Sequence, residues 1–156
     1  LSVWEDEKYR QLQGTYPVIF LSFADVKQND LQGALWKIKK IIFNIYQQYA
    51  WLGSWEGLMA VEREQFVGIT PDMEDTAAQS AIQDLCSYLS RYYKKKVIVI
   101  LDEYDTPMQE AYIHGYWDKF TAFMRSLFNA TFKTVLRRRR SLSHLMIWGL
   151  GSAGTM

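Results

Sequence analysis

The chain is poor in the residues that build covalent or metal-based frameworks: it has one cysteine, Cys86, and two histidines, His114 and His144. A single thiol excludes an intramolecular disulfide framework, and so few imidazoles remove most zinc-ligand patterns. The compartment expected from this is reducing and intracellular, hence cytoplasmic. Long apolar runs are missing too. None approaches the roughly 18 to 20 residues that a membrane-spanning helix needs. The start, Leu1-Ser2-Val3-Trp4-Glu5-Asp6, lacks the basic-then-apolar order of a signal peptide, so no membrane partner is expected. Charge of one sign is also absent: 18 Lys plus Arg against 17 Asp plus Glu leave +1. Any nucleic-acid partner must then be read by a local patch rather than by the whole-chain field.

What is present is core material. Of 156 residues, 49% are hydrophobic and 15% aromatic, with six Trp and ten Tyr. That argues against disorder and fits one compact unit. Tyr16 to Phe23 is an almost continuous apolar run after Gly14, so a strand buried on both faces is expected over 17–23. From Leu31, the residues Leu35, Ile38, Ile42, Ile45, Tyr46 and Tyr49 recur at helical steps, which predicts about four to five turns of amphipathic helix. Residues 50–70 carry three scattered glycines and read as loop with room for one short helix. Thr70-Pro71-Asp72 offers a cap and a first-turn proline, and Ala78, Ala81, Ile82, Leu85, Leu89 and Tyr92 continue a second long helix to about Tyr93. Lys94-Lys95-Lys96 then suits a solvated helix carboxyl end.

Val97-Ile98-Val99-Ile100-Leu101 is the most strand-like segment and is expected at the centre of the sheet. Thr106-Pro107 starts a short helix that Gly115 stops. Tyr116, Phe120, Phe123, Met124, Leu127, Phe128 and Thr131 mark another helix, and residues 145–148 a third strand. Strands alternating with helical crossovers predict an α/β chain with a short parallel sheet, strands at about 17–23, 97–101 and 145–148.

The strongest chemical signal is the end of the central run, where apolar residues are followed by Asp102-Glu103 in a Walker B pattern. Ligands of open α/β sheets bind beyond the carboxyl ends of the strands, so a buried strand delivers Asp102 rigidly to that crevice. A carboxylate there can hold Mg²⁺, with water and nucleotide phosphates completing the octahedron, while Glu103 would orient or polarise an attacking water. Adjacent strand residues point to opposite faces, so both acids reach one site only if the chain turns at Asp102, and Tyr104-Asp105-Thr106-Pro107 supplies such a turn. Asp102, Glu103 and Asp105 also repel one another unless solvent or a cation intervenes. The bland reading is a strand that ends, as many do, in a polar turn.

The stretch from Lys95 through Asp102-Glu103-Tyr104-Asp105-Thr106-Pro107 to Tyr112, followed by Gly115-Tyr116-Trp117 and Phe123 to Phe128, resembles the bacterial AAA-ATPase-like family. Members of that family often carry a PD-(D/E)XK-type nuclease domain downstream. Gly14 to Phe23 looks like the family's second strand, so the likeness covers about Trp4 to Thr134. The resemblance implies a partial P-loop NTPase-like three-layer fold over 1–134. It also implies ATP and Mg²⁺ as ligands of the complete protein, with Asp102 as the metal carboxylate, Glu103 as the catalytic base and Asp105 as a weaker third nucleotide-site residue. No glycine here is followed by lysine, so the phosphate cradle G-x-x-x-x-G-K-[ST] is missing. The expectation is a piece cut downstream of that loop and inactive by itself. The tail departs as well: where the family has a strand ending in Thr-Gly, this chain reads Ile147-Trp148-Gly149. No sensor residue is carried over, and 135–156 is expected to be divergent or disordered.

Other signals are weaker. Gly149-Leu150-Gly151-Ser152-Ala153-Gly154 matches a dinucleotide fingerprint but has no helix after it. Arg137 to Arg140 could contact nucleic acid, though such runs are usually solvated. Asp6-Glu7-Lys8 has nuclease spacing without the context, and Asn129-Ala130-Thr131 is a sequon inside an expected helix. Cys86 reads as a small core-facing or boundary residue and His114 as a helix-end residue. The alternative reading of the whole is a non-catalytic protein or nucleic-acid interaction module on a degenerate ATPase fold. A sheet lacking its P-loop strand exposes an edge, and unpaired edges associate. Light scattering should therefore find the 156 residues self-associated or poorly soluble; a monodisperse monomer contradicts this.

Overall fold

A computed structural model describes residues 14–136 and 145–150. Three strands, β1 (Val18–Ser22), β2 (Val97–Asp102) and β3 (Leu145–Leu150), form one parallel sheet in the order β1-β2-β3. The β-branched run Val97 to Ile100 is thus the central strand. Its ladder runs from Val18 beside Ile98 to Ser22 beside Asp102 on one side, and from Val97 beside Leu145 to Asp102 beside Leu150 on the other. Both ends of the β1 ladder are extended, because Ile98 N donates to Pro17 O at 2.9 Å and Phe23 N to Asp102 O at 3.0 Å.

Between β1 and β2 the chain forms α1 (Leu31–Gln48), a 3₁₀ turn (Ala50–Ser54), α2 (Ala60–Val67) and α3 (Asp75–Tyr93). Between β2 and β3 it forms α4 (Thr106–Ile113) and α5 (Trp117–Leu136). No helix among the described residues is long and apolar enough to cross a membrane. Asp30 caps α1 by accepting a hydrogen bond from Gly33 N at 2.8 Å. Gly115, at φ +77°, takes the left-handed conformation that ends α4 and leaves Tyr116 N on Ala111 O at 3.0 Å.

Two expectations need correction. The first concerns α3, which starts at Asp75 rather than at the Thr70-Pro71 cap. Thr70 instead accepts a turn hydrogen bond from Met73 N at 3.1 Å, and this turn lets Ile69 and Met73 enter the core before the helix begins. The short helix allowed for within 50–70 is α2, whose sequence signal is faint because Phe66 is its one buried residue. A local bond stabilises its start, with Met59 N donating to the Glu62 carboxylate at 2.9 Å.

The second correction concerns the sheet faces. Ile19, Leu21, Val97, Val99 and Leu101 join one core with Ile38 and Ile42 of α1, Ile82 and Leu85 of α3, and Phe120 and Leu127 of α5. On the other face Val18 is 42% and Phe20 53% exposed, while Ile98 and Ile100 are half-buried. Strand β1 is therefore buried on one face, and the described residues make two layers rather than the three of the expected fold. Arg137–Arg140, Asp6-Glu7-Lys8, His144 and Gly151–Gly154 lie outside the described residues.

Leu85 is fully buried on α3. Leu85→Ala should cost about 2 to 5 kcal/mol in urea unfolding. The exposed neighbour Gln83→Ala should change stability by less than about 0.5 kcal/mol.

Candidate functional site

Asp102 is the last residue of the central strand and falls on the sheet face of Ile98 and Ile100, the open one. Its backbone is held in register from both sides, and its side chain is met by β1: Ser22 Oγ donates to Asp102 Oδ2 at 3.3 Å. The chain turns one residue later than expected, at Glu103, whose φ of +48° is left-handed. A residue with a Cβ rarely adopts this conformation. The turn closes as Thr106 N donates to Glu103 O at 3.2 Å, and Thr106 Oγ1 donates to the Glu103 carboxylate at 3.4 Å. The turn thus removes the strict alternation that would send Glu103 to the core face beside Leu101.

Asp105 precedes α4, with its carbonyl accepting from Gln109 N at 3.0 Å. It lines a groove of about 920 Å³ together with Met108, Tyr112 and Trp117. The three acids therefore occupy successive stations: Asp102 on the strand beside β1, Glu103 on the turn, and Asp105 at the mouth of the α4–α5 groove. Among the described residues no group of three or more His, Cys, Asp or Glu is assembled to hold a metal ion. The donors at the strand end are oxygens, the Asp102 carboxylate and the Ser22 hydroxyl. This set suits a hard cation that keeps most of its water, such as Mg²⁺, and not a metal that needs a complete protein cage.

Sequence reasoning placed Ser22 inside a strand and gave it no role. Its proximity to Asp102 follows only from the parallel register of β1 on β2. Thr106 was expected as a cap; it is instead the first residue of α4 and a partner of Glu103. On the other side the backbone register sets Leu150 beside Asp102 and Gly149 beside Leu101.

Away from the strand end, Cys86 is packed against the core and burial pushes its thiol up to about 12, with the Asp84 carboxylate adding to the shift. His114 closes α4, with Nε2 3.3 Å from Glu110.

An acid at the carboxyl end of a central parallel strand, with helical crossovers on both sides of it in sequence, is the layout of α/β sheets that bind ligands at their strand ends. A family model described as Predicted AAA-ATPase matches residues 1–152, and the chain belongs to this AAA-ATPase-like family. Searches of curated proteins and of solved structures found no match.

Two outcomes are expected. Glu103→Gly relieves a left-handed backbone, a conformation that costs an L-residue about 1 to 2 kcal/mol, against about 0.5 to 1 kcal/mol of added chain entropy. Thermal unfolding should show the variant as stable as the parent or slightly more so, while Glu103→Ala should show no gain. Cys86 should resist alkylation in the native protein at pH 8 and react fully once urea has unfolded it, because the reactive thiolate is suppressed by burial. Fast native-state labelling contradicts that environment.

Proposed function

We propose that the strand-end acids serve Mg²⁺-dependent hydrolysis of ATP in the complete protein. The carrying observation is Asp102, set at the carboxyl end of a strand hydrogen-bonded on both sides, with the Ser22 hydroxyl on its carboxylate. Membership of the AAA-ATPase-like family supports the same reading. Asp102 would hold the hydrated cation, directly or through water. Glu103, lifted out of the strand alternation by its left-handed turn, would accept the proton of the attacking water. Asp105 would border the same end of the sheet as a weaker third member. The bound cation would neutralise charge on the β- and γ-phosphates as the terminal phosphoryl group leaves. The tail 135–156 would take no direct part.

These 156 residues contain no lysine-bearing glycine loop, so they present the metal and water side of the site without the phosphate cradle. The isolated chain should neither bind ATP tightly nor hydrolyse it; turnover that Glu103→Gln abolishes would overturn this. In the full-length gene product, Glu103→Gln should lower turnover by about 100-fold or more with ATP binding retained. Asp102→Asn should weaken nucleotide binding only when Mg²⁺ is present. Unchanged turnover in both variants favours the other reading, a non-catalytic interaction module.

A further inference from the structure

The opposite end of the sheet carries a feature that nucleotide hydrolysis does not use. Helix α3 ends at Tyr93 and the chain enters β2 at Val97, so the carboxyl end of α3 lies at the amino end of the strand. Five residue steps of about 3.3 Å separate that end from Asp102, about 16 Å along the strand. Four rings meet there. Trp51 of the 3₁₀ turn lies 4.5 Å from Tyr92 and 6.3 Å from Tyr93, Trp55 lies 5.3 Å from Tyr92, and Tyr92 lies 5.0 Å from Tyr93, all edge to face. Ordinary packing would bury such rings, yet Trp51 stays 41% exposed and Tyr92 and Tyr93 43% each.

The chain that carries Tyr92 and Tyr93 is cationic. Residues 88–96 hold Arg91, Lys94, Lys95 and Lys96 and no acid. Arg91 sits 5.8 Å from the Trp55 ring and neutralises Glu62 at 2.8 Å. Arg63 adds a fifth cation, donating to Trp55 O at 3.1 Å, and Lys95 reaches over Tyr16 at 5.9 Å. Two further acids stand near the rings, Glu56 next to Trp55 in the chain and Asp84 close enough to act on Tyr88. A helix dipole accounts for cations in the last turn of α3. It does not account for half-open aromatic rings among them.

We propose that this edge binds a single-stranded polynucleotide, with unpaired bases stacking on Trp51, Tyr92 and Tyr93 and the backbone phosphates on Lys94, Lys95 and Lys96. Stacking needs bases freed from a duplex, and aromatic rings within a cationic groove are the general means of holding them. A protein partner fits the surface less well, since lysine is depleted at protein interfaces. The site is independent of the ATPase reading.

The test is fluorescence anisotropy of a labelled oligothymidylate of about 15 nucleotides, titrated with the 156-residue protein at about 50 and about 200 mM salt. Binding should weaken with salt with a log–log slope of about −2 to −3, three to four phosphates at about 0.7 each. Lys94→Glu with Lys95→Glu should weaken it at least tenfold and flatten the slope. Trp51→Ala should weaken it about tenfold with the slope unchanged, and circular dichroism checks that each variant folds. If Trp51→Ala does not fold, the lysine pair decides. Four results would each overturn the proposal: no binding at about 100 μM protein in the lower salt, insensitivity to the lysine pair, equal affinity for heparin or duplex, or loss of binding when Arg137 to Arg140 are replaced by serine.

Discussion

The structure depends on a strand hydrogen-bonded along its full length on both sides. Val97 to Asp102 is flanked by β1 and β3, and its Val97, Val99 and Leu101 side chains are buried in the one hydrophobic core. Such a strand has almost no freedom to slip, because a shift of one residue would exchange the buried set for the open set. The same constraint places Asp102 beside Ser22 and brings the chain to its turn at one defined point. A carboxylate at the end of a locked strand needs no ordering when a ligand arrives.

The local rule is broken at the next residue. Glu103 takes a left-handed backbone that glycine would adopt without strain, and it does so at the point where an ideal strand would have turned its side chain toward the core. Strain at such a position is stored where the surrounding structure over-determines it. Here the surroundings are the strand on one side and Thr106, with its two bonds to Glu103, on the other. The aromatic and cationic edge is a separate departure from ordinary packing, at the far end of the same strand.

Much of this was legible beforehand, for physical reasons that differ from element to element. The run Val97 to Leu101 reads as a central strand because β-branched residues without a polar alternate fit only a strand covered by neighbours. The face of α1 reads correctly because Ile38, Ile42 and Ile45 repeat at helical steps. Helix α2 was faint, since one buried residue in two turns makes no periodicity. The Thr70-Pro71 cap misled because proline serves a turn as well as a helix start, and the burial of Ile69 and Met73 chose the turn. Strand β1 looked two-sided because Val18 and Phe20 are as apolar as Ile19 and Leu21, and composition cannot tell which face another layer will cover.

At the candidate site the acids themselves, Asp102, Glu103 and Asp105, and the need for a turn were written in the order of residues. So were the absence of a lysine-bearing glycine loop and the family likeness, because both are properties of contiguous segments. The partner of Asp102, the residue that bends, and the gathering of Trp51, Trp55, Tyr92 and Tyr93 into one edge were decided only by tertiary structure. Each brings together groups that are distant in the chain or selects one of several locally allowed backbones. Ser22 and Asp102 stand 80 positions apart, and no local preference encodes a contact that exists only once two parallel strands have settled into register.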